Sequence, residues 1–122
     1  KIYAAESGVI NNIQVGKEEG SGEILGIQGD GFKLDYSGLK NIKVKVGDKV
    51  KKGDYIAQAV LIPHGEHHLH LGIVIDRQQE CPIKYMDAEF KAAFKKMFAQ
   101  AEYSSQTLSP CACNCETMET KW

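Results

Sequence analysis

No stretch of this 122-residue chain comes near the roughly 18 consecutive apolar residues of a membrane-spanning helix, so a helical span is excluded. Nor is there an excess of charge: fifteen basic residues face sixteen acidic ones, and the lysines are spread along the chain. Nothing in that balance asks for nucleic acid or an acidic membrane surface, since both call for a strong basic surplus. Cysteine is missing from the first 80 residues; the four present are Cys81, Cys111, Cys113 and Cys115. A domain of this length can bury a core without disulfides, so the body of the fold is expected to stand on packing. No signal-peptide pattern opens the sequence. It begins on Lys1 inside what reads as a strand, and we therefore expect a processed or trimmed product with residues missing upstream.

What the chain does have is alternation. Ile2 and Tyr3 read as strand, Glu6-Ser7-Gly8 as turn, and Val9 to Val15 as the returning strand. Gly16 to Gly22 is polar and glycine-rich, a loop or turn. Ile24, Leu25 and Ile27 form the next strand. Gly29-Asp30-Gly31 supplies the positive-φ residues of a tight turn, and Phe32, Leu34 and Tyr36 alternate on the way back, which predicts an antiparallel hairpin. Ile42, Val44 and Val46 alternate again before Gly47-Asp48, and a second pair, Gly53-Asp54, precedes Tyr55 to Ile62. Short strands at this spacing predict a mainly β fold, a small antiparallel sandwich or barrel-like sheet.

The pattern changes after Arg77. Pro82 interrupts it, and Asp87 is placed to cap a helix from Ala88 to about Glu102, along which Phe90, Phe94, Met97, Phe98 and Ala101 recur at helical spacing. The expected division is a β domain over 1–86, an amphipathic C-terminal helix over 87–103 packed on it, and a cysteine-containing tail over 104–122. In an oxidising compartment Cys111-Ala112-Cys113-Asn114-Cys115 could hold disulfides, one of them to Cys81; in a reducing one its alternate thiolates could take copper(I) or zinc.

All four histidines fall within seven residues, at His64, His67, His68 and His70. On an extended segment Glu66, His68 and His70 point to one face while Leu69, Leu71 and Ile73 point to the other. A His-x-His pair can reach a common zinc from a rigid strand, but zinc takes three or four ligands. His64, Glu66 and His67 are the nearby candidates to complete a set, and His67 points to the wrong face if the strand already runs there. The competing reading is of surface or hydrogen-bonded histidines beside a core strand.

Taken in order, these segments resemble the lysostaphin-type (LytM-like) zinc endopeptidases of bacterial cell walls, over Ile2 to Met86. Ile2 through Ile10 is similar to the family's first strand pair, and Gly29-Asp30-Gly31-Phe32 through Tyr36-Ser37-Gly38-Leu39 to its central hairpin. Val46 through Ala57 resembles its Gly-Asp-x-Val-x-x-Gly segment, and His68-Leu69-His70-Leu71 its His-x-His. Biotinyl and lipoyl carriers share the Gly-Asp segment, but their lysine-bearing Met-Lys-Met tip is absent here. Sugar-phosphotransferase carriers place their histidine strand before that segment, whereas here it follows.

The resemblance implies a duplicated hybrid motif, an extracytoplasmic location, and cell-wall peptide or an extracytoplasmic protein as partner. It makes His70 a zinc ligand and His68 a catalytic group beside the metal-bound water. The family's other two ligands, a His and an Asp four residues on, belong upstream of Lys1. A further family histidine follows the hairpin tyrosine by two positions, where this chain has Gly38; glycine can neither ligate, accept a proton nor donate a side-chain hydrogen bond. These departures imply a non-catalytic, degenerate domain that binds or regulates at the cell wall and holds zinc weakly or not at all. The alternative is an active zinc endopeptidase whose His-x-x-x-Asp pair lies upstream.

Overall fold

The computed structural model describes residues 1–17, 21–60 and 69–100, apart from the side chains of 94, 95 and 97–100. Over residues 1–79 it is a sheet: β1 (Ile2–Tyr3), β2 (Gly8–Val15), β3 (Glu23–Gln28), β4 (Lys33–Lys40), β5 (Lys49–Val50), β6 (Tyr55–Ala59), β7 (His70–Ile75) and the start of β8 (Gln78–Glu80). The strand order is β1-β6-β4-β3-β2-β5, with β7 branching from β4 and β8 from β7. Each registered pair is antiparallel, so the mainly β expectation holds.

The β3–β4 hairpin forms where the sequence predicts it. Gly31 takes φ +78°, which only glycine adopts without cost, and the Gly29 N–H donates to the Phe32 carbonyl at 2.9 Å to close the turn. The inward residues of these strands, Ile10, Leu25, Ile27, Leu34, Tyr36, Leu39 and Ile56, make the core, joined by Ile73 from β7. Burying each large aliphatic side chain stabilises the fold by about 1.5–3 kcal/mol before entropy is counted. Tyr36 is the one fully buried ring among the described residues: its hydroxyl accepts a 2.8 Å hydrogen bond from the Ala5 N–H, tying β4 to the connection after β1.

Two short turns of the same design flank β5. In Lys45-Val46-Gly47-Asp48 the Asp48 N–H donates to the Lys45 carbonyl at 3.0 Å, and the Asp48 carboxylate accepts from the Lys45 N–H at 3.0 Å. Lys51-Lys52-Gly53-Asp54 repeats both bonds, at 3.0 and 2.8 Å. Gly47 (φ +95°) and Gly53 (φ +91°) fill the third position, where such a turn demands a left-handed residue. The alternating segment before the first turn is not a ladder strand. Ile42 and Val44 pack on the core, but Lys43 makes the segment's single backbone bond to β6, donating to the Ile56 carbonyl at 2.8 Å.

β4 is the centre of the sheet. Along one edge it pairs with β3; along the other it pairs with β7 through Lys33–Ser37 and with β6 through Leu39 and Lys40. The handover falls on Gly38. Glu23 pairs with Leu39 and Ile24 with Ser37, so Gly38 is the extra residue of a β-bulge, at φ +81°. A left-handed glycine in a bulge changes the phase of the strand: buried residues are Leu34 and Tyr36 before it and Leu39 after it.

A second unit begins at Glu80, and its described residues run to Gln100. Pro82–Tyr85 is a 3-10 turn with proline in its first positions, as the interruption there foretold. Helix α1 spans Ala88–Gln100, and the Asp87 carboxylate caps it, accepting from the Phe90 N–H at 2.7 Å. Phe90, expected on an apolar face, is 53% exposed. It lies in the first turn, beside the cap and in contact with solvent. Phe94, Met97, Phe98 and Ala101 fall outside the described side chains, and the packing expected of this helix with them. Cys81 is buried and disulfide-bonded; Cys111, Cys113 and Cys115 lie outside the described residues.

Candidate functional site

β7 begins at His70, so one of the two expected site residues sits on the sheet. His68, with His64, Glu66 and His67, lies outside the described residues. The expected alternation holds for Leu71 and Ile73, which face the core, but not for Leu69, which precedes the strand and is 36% exposed. Without a ladder bond at Leu69 there is no pleat to turn it inward.

The register places His70 opposite Ser37 of β4, and Ser37 opposite Ile24 of β3. Directly paired residues share a face, so these three make one row on the side of the sheet away from the core. The next row is Gly26, Asp35 and Gly72, and the one after is Gln28, Lys33 and Val74. Two of the three residues in the middle row lack side chains, but only at Gly72 is the space left open. A methyl on Gly26 would collide with the Asn11 carboxamide, whereas one on Gly72 would meet its nearest neighbour, Gln79 Nε2, only at 3.7 Å. Lys33 and Asp35 pair at 3.1 Å, each about one-third exposed, and such a pair contributes on the order of 0–1 kcal/mol.

This face offers an imidazole, a hydroxyl, a carboxylate and an ammonium around the bare backbone of Gly72. It suits recognition by hydrogen bonds. Among the described residues no three His, Cys, Asp or Glu side chains stand close enough to hold a metal; His70 would supply one ligand of the three or four that zinc takes, and the other candidates, His64, Glu66, His67 and His68, lie outside those residues. Tyr36, immediately under the row, has its phenol pushed above the usual value of 10.0, first by burial and secondarily by the Glu6 charge, with the Ala5 hydrogen bond opposing.

The pattern of Peptidase family M23 matches residues 1–82. This chain belongs to that family. Among solved structures, the M23 chain is similar to a chain of the SpoIIQ–SpoIIIAH pore-forming complex, at 25% identity and TM-score 0.57, over 75% of this chain and 60% of that one. It is similar also to CbpA from L. salivarius REN, at 25% identity and TM-score 0.50, over 81% and 56% of the two chains. Helicobacter pylori Csd3 shares the fold, at 18% identity and TM-score 0.54, over 86% of this chain and 33% of Csd3. The M23 chain thus spans about three fifths or less of the length of these three relatives. A comparison with curated protein sequences gives no match.

Within this M23 fold, the position of the resemblance's additional histidine is the bulge glycine. Gly38 is buried, left-handed, and follows the residue paired with His70. Sequence reasoning found His70 and Gly38 but passed over Ser37 and Asp35. Their signal was in the alternation: if Leu34 and Tyr36 point inward, Asp35 and Ser37 must point out.

Proposed function

We propose that this M23 domain is a degenerate, non-catalytic member of its family, working outside the cytoplasm at the bacterial cell wall, where it binds a protein partner or wall peptide across the open face without cleaving it. The observation that carries this reading is Gly38. Where the resemblance calls for an imidazole to handle protons or stabilise an oxyanion, the chain has a buried bulge glycine that fixes the strand's change of partner. Removing one oxyanion-stabilising group from a competent enzyme costs on the order of a hundred- to a thousandfold in rate. The SpoIIQ–SpoIIIAH structure is a complex between proteins, which supports a protein as the partner of this face. His70, Ser37 and Asp35 would supply its polar contacts, and Gly72, which has no side chain, would let a partner backbone come close.

The test is zinc content with turnover. Dialysed protein is expected to hold substoichiometric zinc and to cleave glycyl peptides or peptidoglycan no faster than a His70→Ala control. Turnover that disappears both in that control and with a chelator would overturn the reading, and a His-x-x-x-Asp encoded before Lys1 would then supply the missing ligands.

A further inference from the structure

The near-neutral charge of the chain hides a segregation. Residues 40–55 hold six of the fifteen basic residues and two of the sixteen acidic ones, leaving nine basic against fourteen acidic elsewhere. The six are Lys40, Lys43, Lys45, Lys49, Lys51 and Lys52, all exposed, and no ion pair among the described residues involves them. Asp48 and Asp54, the two acids in the segment, have carboxylates occupied by the N–H groups of Lys45 and Lys51.

The backbone under these lysines is fixed. Ile42 and Val44 pack on the core and Val50 is buried, so Lys43, Lys45, Lys49 and Lys51 project outward. The Gly47 N–H donates to the Ile10 carbonyl and the Ile10 N–H to the Asp48 carbonyl, at 2.8 and 2.9 Å, while the Lys52 N–H donates to Ser7 Oγ at 3.0 Å. At the tip of the first twin turn, between Lys45 and Lys49, stands Val46, 58% exposed.

The kind of cation limits the partner. Arginine recognises a carboxylate or phosphate with a planar fork, and protein interfaces favour arginine and aromatics while depleting lysine. This segment has six lysines and no arginine. Lysine's hydrated, mobile ammonium groups suit a diffuse anionic field that imposes no fixed geometry, as the surface of an anionic bilayer does. An apolar side chain amid those lysines is what enters a headgroup layer. We infer that residues 40–52 form a docking surface for a bilayer rich in anionic phospholipid, on which the domain lies without crossing it. This surface stands on the charge and turn geometry of the segment and is independent of whether the open face is catalytic.

Each lysine near such a surface strengthens partitioning by about fivefold, so neutralising three should weaken it by roughly a hundredfold. The experiment is sedimentation of the whole chain with phosphatidylcholine vesicles containing about 30% phosphatidylglycerol, in about 0.1 M salt. Binding is expected to these vesicles, to disappear with phosphatidylcholine alone, and to fade near 1 M salt, where the screening length falls to about 3 Å. The combined variant Lys43→Gln, Lys45→Gln, Lys49→Gln should lose it with an unchanged melting temperature. The charge-matched variant Lys17→Gln, Lys84→Gln, Lys96→Gln should keep most of it. No binding to the anionic vesicles, or an equal loss in the two variants, would overturn the proposal. So would tight capture of soluble polyphosphate together with vesicle binding indifferent to Val46→Asp, since that pair of results assigns the lysines to a polymer.

Discussion

Substituting Gly38 by alanine adds at least the cost of holding φ at +81° in a residue that carries a Cβ. A left-handed conformation costs an L-residue about 1–2 kcal/mol. Alanine also has a less disordered unfolded chain than glycine, which offsets roughly 0.4–1 kcal/mol of that. The net expected loss from the backbone alone is therefore about 0–1.6 kcal/mol, or up to roughly 13 °C of melting temperature for a unit of this size. Asparagine, which tolerates the left-handed region, should lose less, and a β-branched valine more. Urea titrations read by circular dichroism would order the series Gly, Asn, Ala, Val with an unchanged m-value. A Gly38→Ala protein more stable than the parent would refute the bulge geometry, because that gain is what alanine gives at an ordinary φ. Gly38→His carries the argument into function. It should be destabilised like alanine, and chelator-sensitive turnover of glycyl peptides in it but not in the parent would assign the loss of activity to the missing imidazole.

Two further perturbations test the frame. Asp48→Ala and Asp54→Ala each remove a charged acceptor from a turn N–H, at 3.0 and 2.8 Å, and each should cost about 0.5–2 kcal/mol in a urea titration. Tyr36→Phe should cost roughly 0.5–1.5 kcal/mol by deleting the acceptor for the Ala5 N–H. Because burial holds the Tyr36 phenol above 10.0 in the folded state, its contribution is fully present below about pH 10 and is lost as pH rises through the folded value. Stability curves between about pH 9 and 11 should show an alkaline decline for the parent that the phenylalanine variant lacks.

The sheet was legible because its signals are local. Alternation in Phe32-Lys33-Leu34-Asp35-Tyr36, a positive-φ glycine between the strands and an aspartate before α1 each act within a few residues, and each appears where the sequence placed it. What escaped is set by distance along the chain. That Lys33–Ser37 pairs with β7, over thirty residues away, follows from packing and register, and so does the row of Ile24, Ser37 and His70. The Ile42–Val46 alternation is the converse: the period is right, but a ladder needs a partner strand, and one bond to Ile56 is all that segment finds. Gly38 was visible as a missing imidazole. Its role as a bulge depends on the offset between Glu23↔Leu39 and Ile24↔Ser37, which no neighbouring residue announces.

The divided edge of β4 sets an order in which the sheet can come apart. β7 holds on through Lys33–Ser37 and its own hairpin partner β8, while Leu39 and Lys40 are held separately by β6. The hairpin bearing His70 can therefore open as a unit while the sheet from β1 through β5 stays closed. Amide exchange should register this as a tier of protection: β3 amides exchange at the free energy of global unfolding, and β7 amides at a smaller opening energy. A partner seated on the His70 row would close that gap, slowing exchange in β7 more than anywhere else.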